Sequence, residues 1–196
     1  MRRGARQRRR CPSEGHATGR APAGRTLRGR VRCAATNDER LDAIESQLRR
    51  LTDIEELRLL RLRYHDAINE NRAPDIPELF TDDGEVDFGY LGRTRGRLKI
   101  ERFFGNVGDL LDSVTQFIHN HVVEVEQGAD TASGSSYLEA KSVAKGVAYR
   151  VVGRYRDTYR RTPDGWRFAR MEFEPLFTLP FDESWPTDGE RLKMGR

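Results

Sequence analysis

One short motif of the chain combines the residue types that suit proton transfer near neutral pH: Tyr64-His65-Asp66 places a phenol, an imidazole and a carboxylate in succession. An imidazole can act as general base in an elimination or isomerisation, and a carboxylate can orient it. On a helix, His65 and Asn69 lie one turn apart, so His65 can reach the mouth of a site that Asn69 faces. His65, Tyr64 and Asp66 are the candidate catalytic residues; a solvated histidine and a tyrosine in the core are the structural alternatives.

His119 and His121 form a second motif, an H-x-H pair that is typical of half a metal site. No third ligand accompanies the pair, so no metal is predicted. On a regular strand both histidines share a face with Phe117 and lie opposite Gln116 and Asn120. If Gln116 faces a pocket, the histidines are surface or subunit-contact residues, unless a bulge near Phe117 reverses the alternation.

The candidate residues near position 65 must be held by helices. Apolar residues from Leu41 to Leu51 repeat at helical spacing within an otherwise charged stretch, which predicts an amphipathic helix over 39–50 that needs a partner surface. Thr52 and Glu55 form a capping-box pattern, which predicts that a second helix starts there. The apolar face of that helix comprises Leu57, Leu60, Tyr64, Ala67 and Ile68.

The rest of the chain changes from helical to alternating periodicity. A turn is predicted at 81–84, a strand at 85–90 and a third helix at 96–104, followed by strands at about 114–126, 131–141, 147–160 and 166–174. Helices that precede an antiparallel meander indicate an α+β domain. Such a sheet can curl around the helices and leave a closed-ended apolar hollow, which is where small ligands bind.

Five segments in this order resemble the SnoaL-like group of the nuclear-transport-factor-like superfamily, whose relatives include scytalone dehydratase, hexachlorocyclohexane dehydrochlorinase and ketosteroid isomerase. They are YHDAIN (64–69), LFTDDG (79–84), GRLKI (96–100), NHVVEV (120–125) and GRYRDTYRR with DGWRF (153–168). The resemblance covers about Leu51 to Phe177. It implies a cone-shaped domain over residues 38–185, with a curved antiparallel sheet wrapped on N-terminal helices around an internal pocket.

The resemblance also implies where the chemistry of the site lies. Dehydratases and dehydrochlorinases of this superfamily use no cofactor and pair a strand histidine with a carboxylate at the end of a helix. In this chain the carboxylate position falls on Asn69 and the histidine position on Gln116, and amides neither accept nor release protons at ordinary pH. Phe88 stands where scytalone dehydratase has a phenol. These departures favour a pocket that orients a ligand by hydrogen bonds, or amides that only satisfy buried polar groups.

Aromatic and polar side chains on the predicted helices and strands supply the remaining candidates. Asp157 and Arg170 lie on neighbouring predicted strands and are expected to form an ion pair. The predicted ligand-binding residues are Asn69, Gln116, Asn120, Phe88, Tyr90, Tyr137, Tyr155, Phe168 and Arg170.

Three functions follow from these observations. The first is a cofactor-free lyase (dehydratase) or isomerase acting on an aromatic, polyketide or terpenoid-like compound, and the second is a binding protein for such a small apolar molecule. The third is an interaction module or oligomer subunit that uses the sheet face, which an exposed apolar patch around Val123 and Val125 would favour. The resemblance implies a homodimer or homotrimer that assembles through the open sheet face.

Charge divides the chain into two parts. Residues 1–32 hold 11 of the 35 basic residues and one acid, which leaves 24 basic against 30 acidic residues from Cys33 onward. Because acidic residues are in excess in this part of the chain, we expect that the folded domain does not bind nucleic acid. Residues 1–37 are predicted to be a disordered Arg-rich extension and 186–196 a C-terminal tail.

The N-terminal extension has three possible origins: an organelle transit peptide, a nucleic-acid-binding arm, or upstream sequence translated from a wrongly assigned start. No apolar run approaches the length of a membrane span, and Cys11 and Cys33 lack metal-binding spacing. We therefore expect no membrane association and a cytoplasmic protein, or an organelle-targeted one if residues 1–35 are a transit peptide.

Overall fold

The computed structural model describes residues 36–183. The sequence-based expectations for residues 1–35 and for 186–196 lie outside this part of the chain, whereas Thr36 and Asn37, counted above with the extension, cap and begin the first helix. Within residues 36–183, no helix combines the length and apolar character that a membrane span needs.

The first element is one continuous helix, α1, which runs from Asn37–Asn69. Its capping box is formed by Thr36 and Glu39, whose side chains each accept a hydrogen bond from the other's backbone N–H. The predicted helix start at Thr52 is wrong. Because the stretch contains no glycine or proline, the helix continues through Thr52, whose hydroxyl donates to the Leu48 carbonyl at 3.0 Å.

The two halves of α1 have different surroundings. The C-terminal half buries Leu57, Leu60, Tyr64 and Ala67 in the core. In the N-terminal half the apolar stripe of Leu41, Ile44, Leu48 and Leu51 is 57–62% exposed. The predicted amphipathic stretch therefore forms a helix, and within the described residues its apolar side faces solvent.

The segment after α1 is compact and irregular. A 3-10 turn over Ala73–Leu79 leads into β1 (Phe80–Asp87), and a second over Gly89–Leu91 precedes β2 (Arg93–Arg95) and α2 (Arg97–Asp109). The predicted turn at 81–84 lies inside β1, where the strand register shifts between Phe80 and Glu85. Gly84 permits this irregularity, since a Cβ there would lie 2.9 Å from the Thr81 carbonyl oxygen.

Four long strands complete the domain: β3 (Ser113–Val125), β4 (Thr131–Ala144), β5 (Val147–Thr162) and β6 (Gly165–Pro180). The strand order is β2-β1-β6-β5-β4-β3, and every pair is antiparallel except β1 with β6. The sheet is curved and unclosed, and α1 packs against it through β3 and β6. The predicted α+β cone is thus confirmed, with one parallel strand pair that the sequence did not indicate.

Candidate functional site

A cavity of about 280 Å³ lies between the end of α1, α2 and the inner face of the sheet. Its walls are mostly apolar and include Ala67, Phe88, Phe104, Leu138, Ala140, Val151 and Phe173. Within the described part of the chain, no aspartate, glutamate, histidine, lysine or arginine lines it. Its polar groups are the amides of Asn71 and Gln116, the hydroxyls of Ser142 and Thr178, and the phenols of Tyr64, Tyr90, Tyr149 and Tyr155.

The phenols deepest in this wall are poor acids. Tyr64 and Tyr155 are each 1% exposed, and their rings meet edge to face with centroids 6.2 Å apart. Burial raises the pKa of Tyr155 to about 12 and that of Tyr64 well above its usual range. Both side chains therefore stay protonated near neutral pH and serve as hydrogen-bonding groups.

Gln116 is the polar residue of the cavity that other side chains hold most firmly. The Asn69 side chain donates to the Gln116 carbonyl at 2.9 Å and accepts from the Gln116 backbone N–H at 2.7 Å. Asn69 thus fixes the backbone of β3 at this point and does not itself line the cavity. The Oε1 of Gln116 lies 2.8 Å from Nδ1 of His65.

The structure does not bring the candidate catalytic residues together. Tyr64 lines the cavity, Asp66 is exposed, and His65 is 4% exposed behind Gln116, so it is neither solvated nor at the mouth of the pocket. Burial, reinforced by the Arg61 cation, lowers the pKa of His65 from 6.5 to about 3. An imidazole with that pKa is neutral at physiological pH and is a weak base.

A bulge in the middle of β3 decides where its histidines point. The register shifts between His119 and Val122, and Asn120 has a positive φ of 49°. Gln116 faces inward before the bulge, and after it the odd-numbered residues face inward.

The parity prediction for His121 is therefore wrong. Its ring is half-buried, with Nε2 3.3 Å from the Tyr159 hydroxyl, and burial lowers its pKa to about 4. His119 stays on the outer face, 3.7 Å from Glu139. Val123 and Val125 also turn inward, so they do not form an exposed apolar patch on the outer face of the sheet.

A buried ion pair lies beside the cavity and was missed from the sequence. Arg61 of α1 binds Asp157 of β5, and both side chains are fully buried. The Tyr159 hydroxyl donates to Asp157 at 3.0 Å, and the Arg61 guanidinium lies 4.3 Å from the ring centre of Tyr155. The sequence does contain one indication of this burial, since Arg61 has the helical spacing of the apolar residues Leu57, Leu60 and Tyr64.

The predicted pair of Asp157 with Arg170 is therefore wrong. Asp157 faces the core, whereas Arg170 binds Glu85, Asp87 and Glu172 at 2.9–3.1 Å. These two residues of β5 and β6 are on opposite faces of the sheet, since Asp157 is registered with Met171, the neighbour of Arg170.

The other predicted ligand-binding residues divide between the cavity and the rest of the domain. Phe88, Tyr90 and Tyr155 line the cavity together with Gln116. Phe168 is fully buried in the core against Phe80, and Tyr137 is 39% exposed on the outer face near the Arg154 guanidinium. Asn120 is exposed at the bulge.

Metal binding finds no support in the described residues, where no group of three or more histidine, cysteine, aspartate or glutamate side chains is placed to hold an ion. The lining of the cavity likewise has no cation that would bind a cofactor phosphate. The lining of the cavity suits a neutral, mainly apolar ligand with a few hydrogen-bonding groups.

Both the sequence and the fold of this chain are similar to those of known proteins. Residues 49–172 match the family model described as the SnoaL-like domain. The chain is 31% identical over 142 residues to an uncharacterised protein of Mycobacterium tuberculosis strain H37Rv, an alignment that covers 70% of this chain and 92% of the relative.

Solved structures show the same fold. An NTF2-like protein with a cystatin-like fold from Novosphingobium aromaticivorans is 31% identical with a TM-score of 0.63, covering 69% of this chain and 90% of that one. A hexachlorocyclohexane dehydrochlorinase of type 2 is 15% identical with a TM-score of 0.62, covering 74% and 97%. At that identity the second likeness concerns the fold alone.

Proposed function

This chain belongs to the SnoaL-like domain family, and from that premise we propose that it binds a small apolar molecule, of aromatic, polyketide or terpenoid type, in the cavity between α1, α2 and the sheet. The observation that carries the proposal is the lining itself, which is apolar with amide and hydroxyl groups and has no charged side chain among the described residues. Apolar walls with a few placed polar groups are the usual form of a small-molecule site.

The same observation favours binding over proton transfer. A lyase or isomerase needs a base whose pKa lies near the working pH. Gln116 and Asn69 cannot supply one, the pKa of His65 is about 3, and the phenols of Tyr64 and Tyr155 hold their protons. The chemistry of a histidine and carboxylate pair is therefore not part of the proposed function.

The test is calorimetric titration of the full chain with a panel of aromatic and terpenoid ketones and alcohols. The variant Ala140→Phe places a ring inside the cavity, and the control Ala148→Phe makes the same change at an exposed position of β5. We expect saturable binding to the wild type and to Ala148→Phe, loss of binding in Ala140→Phe, and recovery of each ligand unchanged. Absence of binding across the panel, or binding that Ala140→Phe leaves intact, would contradict the proposal. Conversion of a ligand would replace it with the lyase or isomerase alternative.

We also propose that the chain self-associates through the N-terminal half of α1. The stripe of Leu41, Ile44, Leu48 and Leu51 has the a/d spacing of a helix pair. Asp38, Glu45 and Arg49 border the stripe on one side and Arg40 borders it on the other, so both signs of charge are present along the edges of a helix pair formed by two copies.

A further inference from the structure

We propose that the cavity selects ligands that carry an uncharged hydrogen-bond acceptor, such as a ketone carbonyl, because Gln116 presents an amide N–H to it and His65 holds that amide in this orientation. The inference rests on the proposed binding function and names the ligand chemistry of the same site. His65 is a positioning residue in this account, since it acts on the ligand only through Gln116.

The position of Gln116 is set before any ligand enters. Asn69, at the end of α1, forms two hydrogen bonds with the Gln116 backbone, at 2.9 and 2.7 Å. The side chain that starts from this fixed backbone extends between His65 and the cavity wall. A polar group held in this way loses little conformational entropy when a ligand binds.

The orientation of the amide follows from the protonation of His65. Burial and the Arg61 cation keep the imidazole neutral, with a pKa of about 3, so the ring carries a single N–H. With the hydrogen on Nδ1, the ring donates to Gln116 Oε1 at 2.8 Å.

The opposite amide orientation would require the hydrogen on Nε2 of His65. That atom is buried and has no hydrogen-bond partner among the described residues, so an N–H there would be unpaired. An unpaired buried donor beside a cation is costlier than a lone pair in the same place. The structure therefore favours the orientation in which Oε1 faces His65.

The amide nitrogen is the group of Gln116 that is left for the cavity. Within the described part of the chain, Nε2 of Gln116 makes no hydrogen bond of its own, while the residue lines the cavity beside Val114, Leu138 and Ala140. A carbonyl buried against these apolar neighbours gains a hydrogen bond there. Beside Gln116, where the neighbours are apolar and Oε1 is already bound to His65, a ligand that can only donate finds no acceptor.

Three tricyclic ligands of nearly equal shape test this selection by calorimetric titration of the full chain: 9-fluorenone, which accepts a hydrogen bond, carbazole, which donates one, and fluorene, which does neither. One net hydrogen bond corresponds to roughly 3- to 10-fold in affinity. We expect 9-fluorenone to bind tighter than fluorene by that factor and carbazole to bind no tighter than fluorene. In Gln116→Leu, fluorene binding should persist and the preference for 9-fluorenone should vanish.

Variants of His65 test the positioning role. His65→Leu removes the donor and frees the amide to rotate, so we expect 9-fluorenone to lose its advantage over carbazole. His65→Asn keeps a side-chain N–H near the place of Nδ1 and should retain that advantage. If His65 only supported the fold, both variants would lower the affinity for all three ligands by the same factor. That result would overturn the assignment of His65 as a positioning residue.

The two proposals fail in different ways. If none of the three ligands binds the wild type, the proposed binding function is contradicted. If all three bind the wild type equally, or carbazole binds best, the cavity binds small molecules but the selection for an acceptor is overturned.

Discussion

At the scale of single residues, a buried ion pair links α1 to β5 in the interior of the domain. Arg61 and Asp157 are fully buried, and the guanidinium also lies against the rings of Tyr155 and Phe168. A buried pair of this kind contributes little net stability compared with apolar residues of the same size, but the loss of one partner leaves a buried charge uncompensated. Arg61 was not recognised in the sequence because its burial depends on an acid 96 positions away.

Asp157→Asn should lower the free energy of unfolding by about 3 kcal/mol or more, because it leaves the Arg61 charge buried without a counter-charge. Glu45→Gln is the control, since it breaks the exposed Arg49–Glu45 pair and should cost under about 0.5 kcal/mol. Urea denaturation measures both. The double variant Arg61→Met with Asp157→Leu should recover most of the loss. Equal costs for Asp157→Asn and Glu45→Gln would contradict this account of the pair.

His65 should make stability depend on pH. Its pKa falls from 6.5 to about 3 on folding, so the unfolded chain binds more protons between these values, and the stability present above about pH 6.5 is lost as the pH falls. His121, with a pKa of about 4, acts in the same direction. We expect the free energy of unfolding to decrease from about pH 7 to about pH 5, by up to about 1.4 kcal/mol per pH unit for His65 and by less for the half-buried His121, whose charge is partly screened by solvent.

His65→Asn should reduce the dependence of the free energy of unfolding on pH by up to about 1.4 kcal/mol per pH unit, which is the contribution of one bound proton. His119→Asn, which removes the exposed histidine on the outer face of β3, is the matched control. Chemical denaturation at several pH values gives the slopes. A slope that His65→Asn leaves the same as in the wild type would contradict the assignment of a neutral, buried His65.

At the scale of elements, the bulge of β3 determines which residues reach the interior. A strictly alternating strand would have placed His121 and Val123 outside. The left-handed residue at Asn120 inserts one extra position, so both turn inward. The alternating pattern of the sequence does not reveal such an insertion. The only local indication is the asparagine itself, because asparagine tolerates positive φ better than most residues.

Substitutions at Asn120 test this reading of β3. Asn120→Gly should keep the fold with little change in stability, because glycine adopts φ near 49° without strain. Asn120→Val should cost about 1–2 kcal/mol, because a β-branched side chain clashes in the left-handed region. Denaturation midpoints measure both changes. If valine were tolerated as well as glycine, the bulge would not depend on the residue at this position.

Elements were otherwise predicted well where local chemistry alone defines them. Strands β3 to β6 begin close to where alternation placed them, and the turns that join β3 to β4 and β5 to β6 contain Gly128 and Gly165, with positive φ values of 74° and 99°. The break predicted at Thr52 failed because a capping pattern inside a good helical stretch is overridden by continued helix propagation.

At the scale of the whole molecule, the α+β class and the cone with its cavity could be predicted, whereas the placement of polar groups around the cavity could not. Motif order and periodicity determine the first. The second depends on contacts between distant segments, such as His65 with Gln116 and Arg61 with Asp157, which local pattern does not encode. The sequence therefore indicates a cavity, and only the structure shows that the side chains lining it are uncharged.

The exposed stripe on α1 carries a prediction about the assembled molecule. Ile44→Glu with Leu48→Glu should shift the full chain from a dimer toward a monomer, because the change places charges in the centre of the proposed helix pair. Leu98→Glu, on the exposed side of α2, is a control at a similarly exposed leucine. Light scattering coupled to size exclusion measures the mass. A wild-type chain that is monomeric at all concentrations would contradict the self-association, as would a dimer unaffected by the double change.

The most direct measurement is a crystal structure of the full chain soaked with 9-fluorenone. We expect density for the ligand within the cavity lined by Tyr64, Phe88 and Tyr155, with the carbonyl oxygen in hydrogen-bond reach of Gln116 Nε2 and no histidine in contact with the ligand. A ligand in contact with His65 or His121, or one bound on the outer face of the sheet with the cavity empty, would contradict it.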